Sequence, residues 1–203
     1  MSAVGWVRRA RPVVWVASAV ALVAIVVWQV DVWEPAPDST AKNASFGDTD
    51  PGVDVYPPDK RTDAPPLEGV TLDGDPLALS DYAGHIVVVN VWGSWCAPCR
   101  AETPDLVRIA RETKNQGVRF LGVDTRDNMS SAKAFVDKFE VPYPSLFDDD
   151  GRTLLPFRDV IPTAVIPSTV VVDRQGQIAA RIIGPVTYNT LKALLDDEIG
   201  GVR

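Results

Sequence analysis

Cysteine and histidine are scarce in this sequence. Its 203 residues include two cysteines, Cys96 and Cys99, and one histidine, His85. A closed structural zinc site uses four cysteine or histidine ligands, so one chain cannot complete such a site. A disulfide stabilises a fold largely through the loop that it closes, and these cysteines are separated by only two residues. The cysteine pair therefore indicates a chemically reactive site rather than a metal site or a stabilising disulfide. We expect no metal and no cofactor beyond a redox-active disulfide.

Clustered positive charge is also scarce. The chain has 27 acidic and 20 basic residues, a formal net charge of −7, and its only basic cluster is Arg8, Arg9 and Arg11 near the N-terminus. Proteins that bind nucleic acid generally carry a basic stripe or patch. The charge distribution therefore argues against a general nucleic-acid binder.

A long apolar run follows these arginines. Residues 13–30 are 18 residues without a charge, and as a helix they would extend about 27 Å, close to the roughly 30 Å of a bilayer core. Arginines precede the run and acids follow it, which places the N-terminus in the cytoplasm. We predict a cytoplasmic basic tail at 1–12, a transmembrane anchor or uncleaved signal at 13–33, and a single-pass cell-membrane protein with its remainder outside the cytoplasm. The length of the run favours an uncleaved anchor, but cleavage stays open.

Two regions of different composition follow the run. Residues 34–66 are rich in proline, aspartate, serine and threonine and predict a flexible acidic linker. Residues 67–203 predict one domain, because apolar runs of strand length alternate with helical periodicity. Within it we predict a hairpin at 67–79, strands at 86–92, 118–124, 168–173 and 177–183, and helices at 97–115, 130–139 and 187–199. This order predicts an α/β fold with a central mixed sheet, flanking helices and an N-terminal β-hairpin.

The cysteines lie where a buried strand gives way to a helix, in the sequence Trp95-Cys96-Ala97-Pro98-Cys99. A Cys-x-x-Cys pair near a βαβ pattern is typical of a redox motif. The N-terminus of a helix offers unpaired N–H groups and a dipole that favour a thiolate, and Pro98 suits the first turn. We predict that Cys96 is the attacking thiol, with a pKa below the free value of about 8.5, and that Cys99 resolves the mixed disulfide.

The region from about residue 67 to 199 resembles the TlpA/ResA family of membrane-anchored, thioredoxin-like thiol-disulfide oxidoreductases. The resemblance rests on the Trp-Cys-Ala-Pro-Cys motif, on Glu102 three residues after the second cysteine, on Pro167 before the strand at 168–173, and on the N-terminal hairpin and anchor. It implies a thioredoxin-like fold preceded by one transmembrane helix.

The resemblance also implies roles for individual residues. Pro167 matches a family proline that is cis and lies against the active-site disulfide. Thioredoxins carry a buried aspartate six residues before the first cysteine, where this chain has Asn90, and family members without that aspartate carry a glutamate that matches Glu102. The resemblance therefore implies that Cys96, Cys99 and Glu102 are catalytic, the alternative for Glu102 being a solvated helix residue. Four residues around the motif are expected to bind the client: Trp95, Pro98, Ile166 and Pro167.

The function that the resemblance implies is reduction of disulfides outside the cytoplasm. The clients would be secreted proteins such as apocytochromes c, whose Cys-x-x-Cys-His sites must be reduced during cytochrome c maturation. Electrons would come from a membrane thiol-reductant donor of the CcdA/DsbD type. Three alternatives stay open: an oxidase that introduces disulfides, a thiol peroxidase, and a client-binding module without turnover. The sequence leaves the client, the redox potential, the direction of electron flow and the oligomeric state open.

Overall fold

The computed structural model describes residues 52–201. The predicted basic tail at 1–12 and the predicted anchor at 13–33 lie outside this range. Among the described residues, no helix combines the length and the apolar character that a membrane crossing requires. Membrane anchoring therefore stays a prediction from the sequence.

The described residues form eight strands and three α-helices. The strands are β1 (Val53–Val55), β2 (Glu68–Val70), β3 (Pro76–Ala78), β4 (Ile86–Trp92), β5 (Val118–Thr125), β6 (Ser145–Asp148), β7 (Ser168–Val172) and β8 (Ile178–Ile183). The helices are α1 (Ala97–Thr113), α2 (Met129–Phe139) and α3 (Tyr188–Ile199). Short 3-10 helices occur at Pro58–Lys60, Leu79–Tyr82, Lys114–Gln116 and Leu155–Phe157.

Six of the strands form one mixed sheet in the order β1-β8-β7-β4-β5-β6. The strand β4 is parallel to β5 and antiparallel to β7, and every one of its residues is buried. A strand buried on both faces reads as a continuous apolar run, which is why the sequence Ile-Val-Val-Val-Asn-Val-Trp predicted it. The predicted mixed sheet, its helices and the N-terminal hairpin, formed by β2 and β3, are confirmed.

The strands β1 and β6 were not predicted. The strand β6 has four residues, follows Pro144 and has an aspartate at its end, so it shows neither the length nor the alternation that identifies a strand. It extends the parallel part of the sheet by pairing with β5. The strand β1 has three residues and is recognisable only through its pairing with β8 at the opposite edge.

Apolar side chains form a layer on each face of the sheet. One layer includes Leu106 and Ile109 of α1 and Leu191 and Leu195 of α3. The other is covered by residues 154–161, where Phe157 is fully buried. A third and smaller cluster lies beside the start of α1 and contains both cysteines. The core therefore extends to the redox motif itself.

The predicted linker at 34–66 is too long, because its last part belongs to the folded domain. Val53–Val55 pairs with β8, and the Arg61 guanidinium forms ion pairs with Asp173 at 2.9 Å and Glu198 at 2.6 Å. These partners lie 112 and 137 residues further along the chain, so composition could not reveal them. Residues 34–51 lie outside the described residues.

We predict that Arg61→Met destabilises the domain. The Arg61 side chain is 10% exposed, and its removal leaves the Asp173 and Glu198 carboxylates, 5% and 17% exposed, without their cation. Breaking such a pair typically costs about 3–5 kcal/mol in a fully buried setting, so about 2–4 kcal/mol is expected here. Urea unfolding measures the loss. The matched control is Arg152→Met, whose ion pair with Asp150 is exposed and should contribute less than about 1 kcal/mol. Equal stabilities for the two variants would contradict the assignment.

Candidate active site

The turn after β4 places the two cysteines at the start of α1. Cys96 is the N-cap residue of this helix, and its Sγ accepts a hydrogen bond from the Cys99 backbone N–H at 3.2 Å. The two residues are joined by a disulfide, with their Cα atoms 5.3 Å apart. Gly93 allows the turn to be tight, since a Cβ at this position would lie 2.8 Å from Nε1 of Trp95.

Both sulfurs are withdrawn from solvent. Cys96 is 3% exposed and Cys99 is fully buried. They pack in an apolar cluster with four other buried residues: Leu72, Trp92, Ala132 and Phe135. The rings of Trp92 and Phe135 stack with their centroids 4.5 Å apart. The disulfide is therefore lined by hydrocarbon on its inner side.

The adjacent Trp95 has the opposite environment, with 57% of its surface exposed. Its indole Nε1–H donates a hydrogen bond to the Arg126 carbonyl at 3.1 Å. The Ser94 N–H donates to Oδ2 of Asp127 at 2.6 Å. Residues 126 and 127, after β5, therefore hold the loop that carries Cys96, and the exposed face of Trp95 is left for contact with other molecules.

The segment before β7 reaches the same place. The Ile166–Pro167 peptide bond is cis, as the resemblance implied, and Pro167 is buried. Ile166 packs against the apolar cluster that contains the cysteines. The Arg126 guanidinium donates a hydrogen bond to the Thr163 carbonyl. The loop after β5 therefore contacts both the cysteine loop and the segment that leads to Pro167.

Glu102 is buried, with 4% exposure, one turn beyond Cys99 on α1. Its Oε1 accepts a hydrogen bond from Nδ2 of Asn90 at 3.0 Å, and its Oε2 accepts one from the Val186 N–H at 2.8 Å. Asn90 also donates to Oγ1 of Thr169 on β7 at 3.2 Å. Burial raises the pKa of Glu102 to about 7, against the opposing effect of these two hydrogen bonds. The alternative of a solvated glutamate is wrong for this position.

The sequence analysis missed a second buried carboxyl, Asp124 at the end of β5. Asp124 is fully buried, and neither of its carboxyl oxygens has a hydrogen-bond donor among the described residues. Burial, followed by the nearby carboxyls of Asp127 and Asp148, raises the pKa of Asp124 to about 8. The available signal was an acid at the end of the predicted strand Val-Arg-Phe-Leu-Gly-Val-Asp, directly after four uncharged residues.

The structure brings most of the predicted site residues together. Cys96, Cys99 and Ile166 share the apolar cluster, and Glu102 lies on the same helix as the cysteines. Pro98 is exposed in the first turn of α1. His85 lies at the start of β4, whereas the cysteines follow its end, and it takes no part in the site. The catalytic and client-binding roles of these residues remain predictions.

Comparison with known proteins connects this site to a family. The model of the AhpC/TSA family matches residues 61–181. The thiol:disulfide interchange protein HelX of Rhodobacter capsulatus is 36% identical over 118 residues, which are 58% of this chain and 63% of HelX. The thiol-disulfide oxidoreductase ResA of Bacillus subtilis is 30% identical over 130 residues, which are 64% of this chain and 70% of ResA. The match thus spans less than two thirds of HelX.

A solved structure gives the same answer for the fold. A secreted thiol-disulfide isomerase from Corynebacterium glutamicum superposes with a TM-score of 0.68 at 32% identity, covering 81% of this chain and 93% of the other. Thiol-disulfide exchange, the activity after which these relatives are named, needs a redox-active cysteine pair, and this chain has one in the Cys96–Cys99 disulfide. The chain therefore belongs to the AhpC/TSA family, and it is a thiol-disulfide oxidoreductase with a thioredoxin-like fold.

Proposed function

We propose that this oxidoreductase works as a reductant of disulfides in secreted clients, with apocytochromes c during cytochrome c maturation as the leading candidates. The observation that carries the proposal is the burial of the Cys96–Cys99 pair in an apolar cluster. Apolar surroundings disfavour a thiolate at the fully buried Cys99, and this opposes the stabilisation that the helix N-terminus gives to the Cys96 thiolate. A dithiol whose reduced form is not strongly stabilised has a low reduction potential, whereas DsbA is a strong oxidant because its reduced form is stabilised.

The proposed reaction transfers two electrons and two protons to the client. The Cys96 thiolate attacks one sulfur of the client disulfide, forms a mixed disulfide and releases the other client sulfur as a thiolate, which takes up a proton. Cys99 then loses its proton and attacks the Cys96 sulfur. The second client sulfur leaves and is protonated, and the Cys96–Cys99 disulfide forms. The complete burial of Cys99 suits a resolving thiol that never meets the client directly.

A proton carrier is needed close to this exchange, because Cys99 has to be deprotonated away from water. Glu102 fits this role, since it lies one turn beyond Cys99 and is itself buried. A carboxyl with a pKa of about 7 is present in both protonation states near neutral pH, which is the condition for efficient general acid–base catalysis. Asn90, which occupies the position of the thioredoxin aspartate, positions this carboxyl through its hydrogen bond.

The client-binding surface that we propose surrounds the opening above Cys96. Trp95 and Val165 expose 57% and 39% of their surfaces. Pro98 is exposed between the two cysteines, and Pro167 follows Ile166, which packs on the cluster that contains them. Exposed aromatic and aliphatic groups of this kind bind polypeptide through apolar contact. An extended client segment that carries cysteines, such as a haem-attachment site, suits such a surface better than a small molecule does.

The proposed location is the outer side of the cytoplasmic membrane. Disulfides persist in that compartment, and a thiol that must react there has to be kept reduced by a dedicated protein. The apolar run at 13–30 would anchor the chain in the membrane. A membrane thiol-reductant donor of the CcdA/DsbD type would return the Cys96–Cys99 pair to its dithiol form.

We predict a reduction potential for the Cys96–Cys99 pair closer to the roughly −270 mV of thioredoxin than to the roughly −120 mV of DsbA. Equilibration with glutathione and dithiothreitol buffers, with quantification of the oxidised fraction, measures it. The reduced protein should also reduce an oxidised peptide containing Cys-x-x-Cys-His. A potential near that of DsbA would identify an oxidase. Persistence of the activity in a Cys96→Ser/Cys99→Ser variant would identify a client-binding module.

Mixed disulfides with the client are predicted to accumulate in the Cys99→Ser variant, through Cys96. The resolving thiol is absent there, and Cys96 is the cysteine that directly follows the exposed Trp95. Mass spectrometry of non-reducing gel bands identifies the linked cysteine. The matched variant is Cys96→Ser, which should trap little client because Cys99 is fully buried. Adducts that form mainly through Cys99 would reverse the two roles.

The Glu102→Gln variant is predicted to resolve mixed disulfides about tenfold more slowly or worse, in line with the usual 10²- to 10⁴-fold contribution of proton transfer. The wild-type rate should show an inflection near the Glu102 pKa of about 7, and the variant should lack it. Stopped-flow exchange between pH 5 and 9 provides both profiles. The control is Glu112→Gln, which removes an exposed carboxyl on the same helix.

A second consequence of the same pKa shift concerns stability. The folded-state pKa of Glu102 is raised from 4.5 to about 7, so its contribution to stability declines as the pH rises through that interval. The Glu102→Gln variant should lose this part of the pH dependence. If the exchange rates of wild type and Glu102→Gln showed the same dependence on pH between 5 and 9, Glu102 would have a structural role only.

A further inference from the structure

The carboxyl of Asp124 lies inside the protein without a donor to bind it. Asp124 is in register with Trp92 on one side and with Phe147 on the other. Residues in register on adjacent strands project from the same face of the sheet, and both aromatic neighbours belong to, or pack on, the cluster that contains the disulfide. Asp124 is therefore a fully buried acid at the border of the redox site. As a carboxylate it would be an unpaired buried charge, which is strongly unfavourable.

The other groups close to Asp124 are acids. Asp127 approaches it from the loop after β5, and Asp148 approaches it from the end of β6. Asp148 accepts hydrogen bonds from the Thr153 N–H at 2.9 Å and from the Thr125 hydroxyl at 3.4 Å. These bonds suit an ionised Asp148, so it adds negative charge rather than a donor. The cation of the same loop, Arg126, directs its guanidinium to the Thr163 carbonyl. The thiols of Cys96 and Cys99, in the cluster that contains Trp92, also titrate when the disulfide is reduced.

Asp127 in turn holds the loop that carries the nucleophile. Its Oδ2 accepts the Ser94 N–H at 2.6 Å, and its Oδ1 accepts the Asn128 N–H at 2.7 Å. Both are bonds to an ionised carboxylate, which are the stronger kind. Ser94 is two residues before Cys96, and Asn128 is the N-cap of α2. One carboxylate thus joins the cysteine loop to the start of the next helix.

We propose that Asp124 is a positioning residue for the thiol-disulfide exchange, and that it acts by sharing a carboxyl proton with Asp127. The protonated Asp124 donates this hydrogen bond, and the Asp127 carboxylate accepts it while it still binds the Ser94 and Asn128 N–H groups. The shared proton neutralises the buried Asp124 carboxyl, and the hydrogen bond fixes the position of the Asp127 carboxylate. The Asp124–Asp127 hydrogen bond then connects the cysteine loop to β5 through Ser94. The bond from the Trp95 indole to the Arg126 carbonyl is a second connection between the two loops.

Loss of this proton at alkaline pH has a definite consequence. Three carboxylates would then lie together, with Asp124 and Asp148 buried and Asp127 half-buried. Like charges repel strongly where burial lowers the local dielectric constant. Asp127 is the only one of the three on a loop, so it moves away and releases Ser94. The attacking sulfur loses its orientation, and the rate of exchange falls even though more of the thiol is ionised.

Asp124→Asn tests this proposal directly. The amide has the same shape and can donate a hydrogen bond to Asp127 at every pH, so the variant keeps this hydrogen bond but has no proton to lose at position 124. In the full-length protein we expect kcat/KM for reduction of a model disulfide to fall at least threefold between pH 8 and 9.5 in the wild type, and to stay level in Asp124→Asn. The matched control is Asp137→Asn, an exposed aspartate on α2, whose profile should follow the wild type.

A measurement on the wild type keeps the proposal open to refutation if the variant does not fold. Carbon-13 NMR of aspartate carboxyls in the oxidised full-length protein should show one carboxyl with a midpoint near pH 8. The Trp95 indole N–H resonance should shift with the same midpoint, because its acceptor lies in the loop that Asp127 positions. The proposal fails if every aspartate titrates below about pH 5, if the Trp95 resonance does not respond, or if the wild-type and Asp124→Asn rate profiles coincide.

Discussion

Burial of a disulfide that must nevertheless react is the constraint on which this structure depends. Cys96 and Cys99 are 3% and 0% exposed, and their inner surroundings are Leu72, Trp92 and Phe135. Water is not available at the resolving sulfur, so protons must come from the protein. The client must also be brought to the sulfur, because the sulfur does not project into solvent. In the roles proposed above, exposed Trp95 contacts the client, buried Glu102 carries the proton, and buried Asp124 keeps the cysteine loop in position.

The two buried carboxyls, Glu102 and Asp124, differ in their hydrogen-bond partners and therefore in their pKa values. Glu102 has two N–H donors, Asn90 and Val186, which partly stabilise its charged form while burial opposes it. Its pKa near 7 therefore leaves both protonation states accessible, as a proton carrier needs. Asp124 has no such donor among the described residues and has acids for neighbours, so its neutral form dominates at pH 7. A group that stays protonated is suited to hold a hydrogen bond rather than to move a proton.

The sequence was informative wherever local pattern determines structure. The unbroken apolar run of β4, the Cys-x-x-Cys motif at a helix start and the helical periodicity of α3 are all local, and each was found. The failures depend on contacts between distant residues. Arg61 lies in a proline-rich, acidic stretch that looks like a linker, and only its partners Asp173 and Glu198 show that it belongs to the domain. Asp124 has the same explanation, because it lies between Trp92 and Phe147 and close to Asp148 only once β5 has paired with β4 and β6.

The way in which the loops are tied together bears on how client preference could change. The ties around the disulfide use backbone atoms: the Trp95 indole bonds the Arg126 carbonyl, the Arg126 guanidinium bonds the Thr163 carbonyl, and the Ser94 N–H bonds Asp127. A side chain that is not part of these ties, such as exposed Val165, can be replaced without moving the sulfur. The outward face of Trp95 is likewise free of hydrogen bonds, since its single polar atom is directed to the neighbouring loop. Client preference can therefore vary at the rim, while the geometry and the proton supply at the disulfide are kept constant by β4, α1 and the loop after β5.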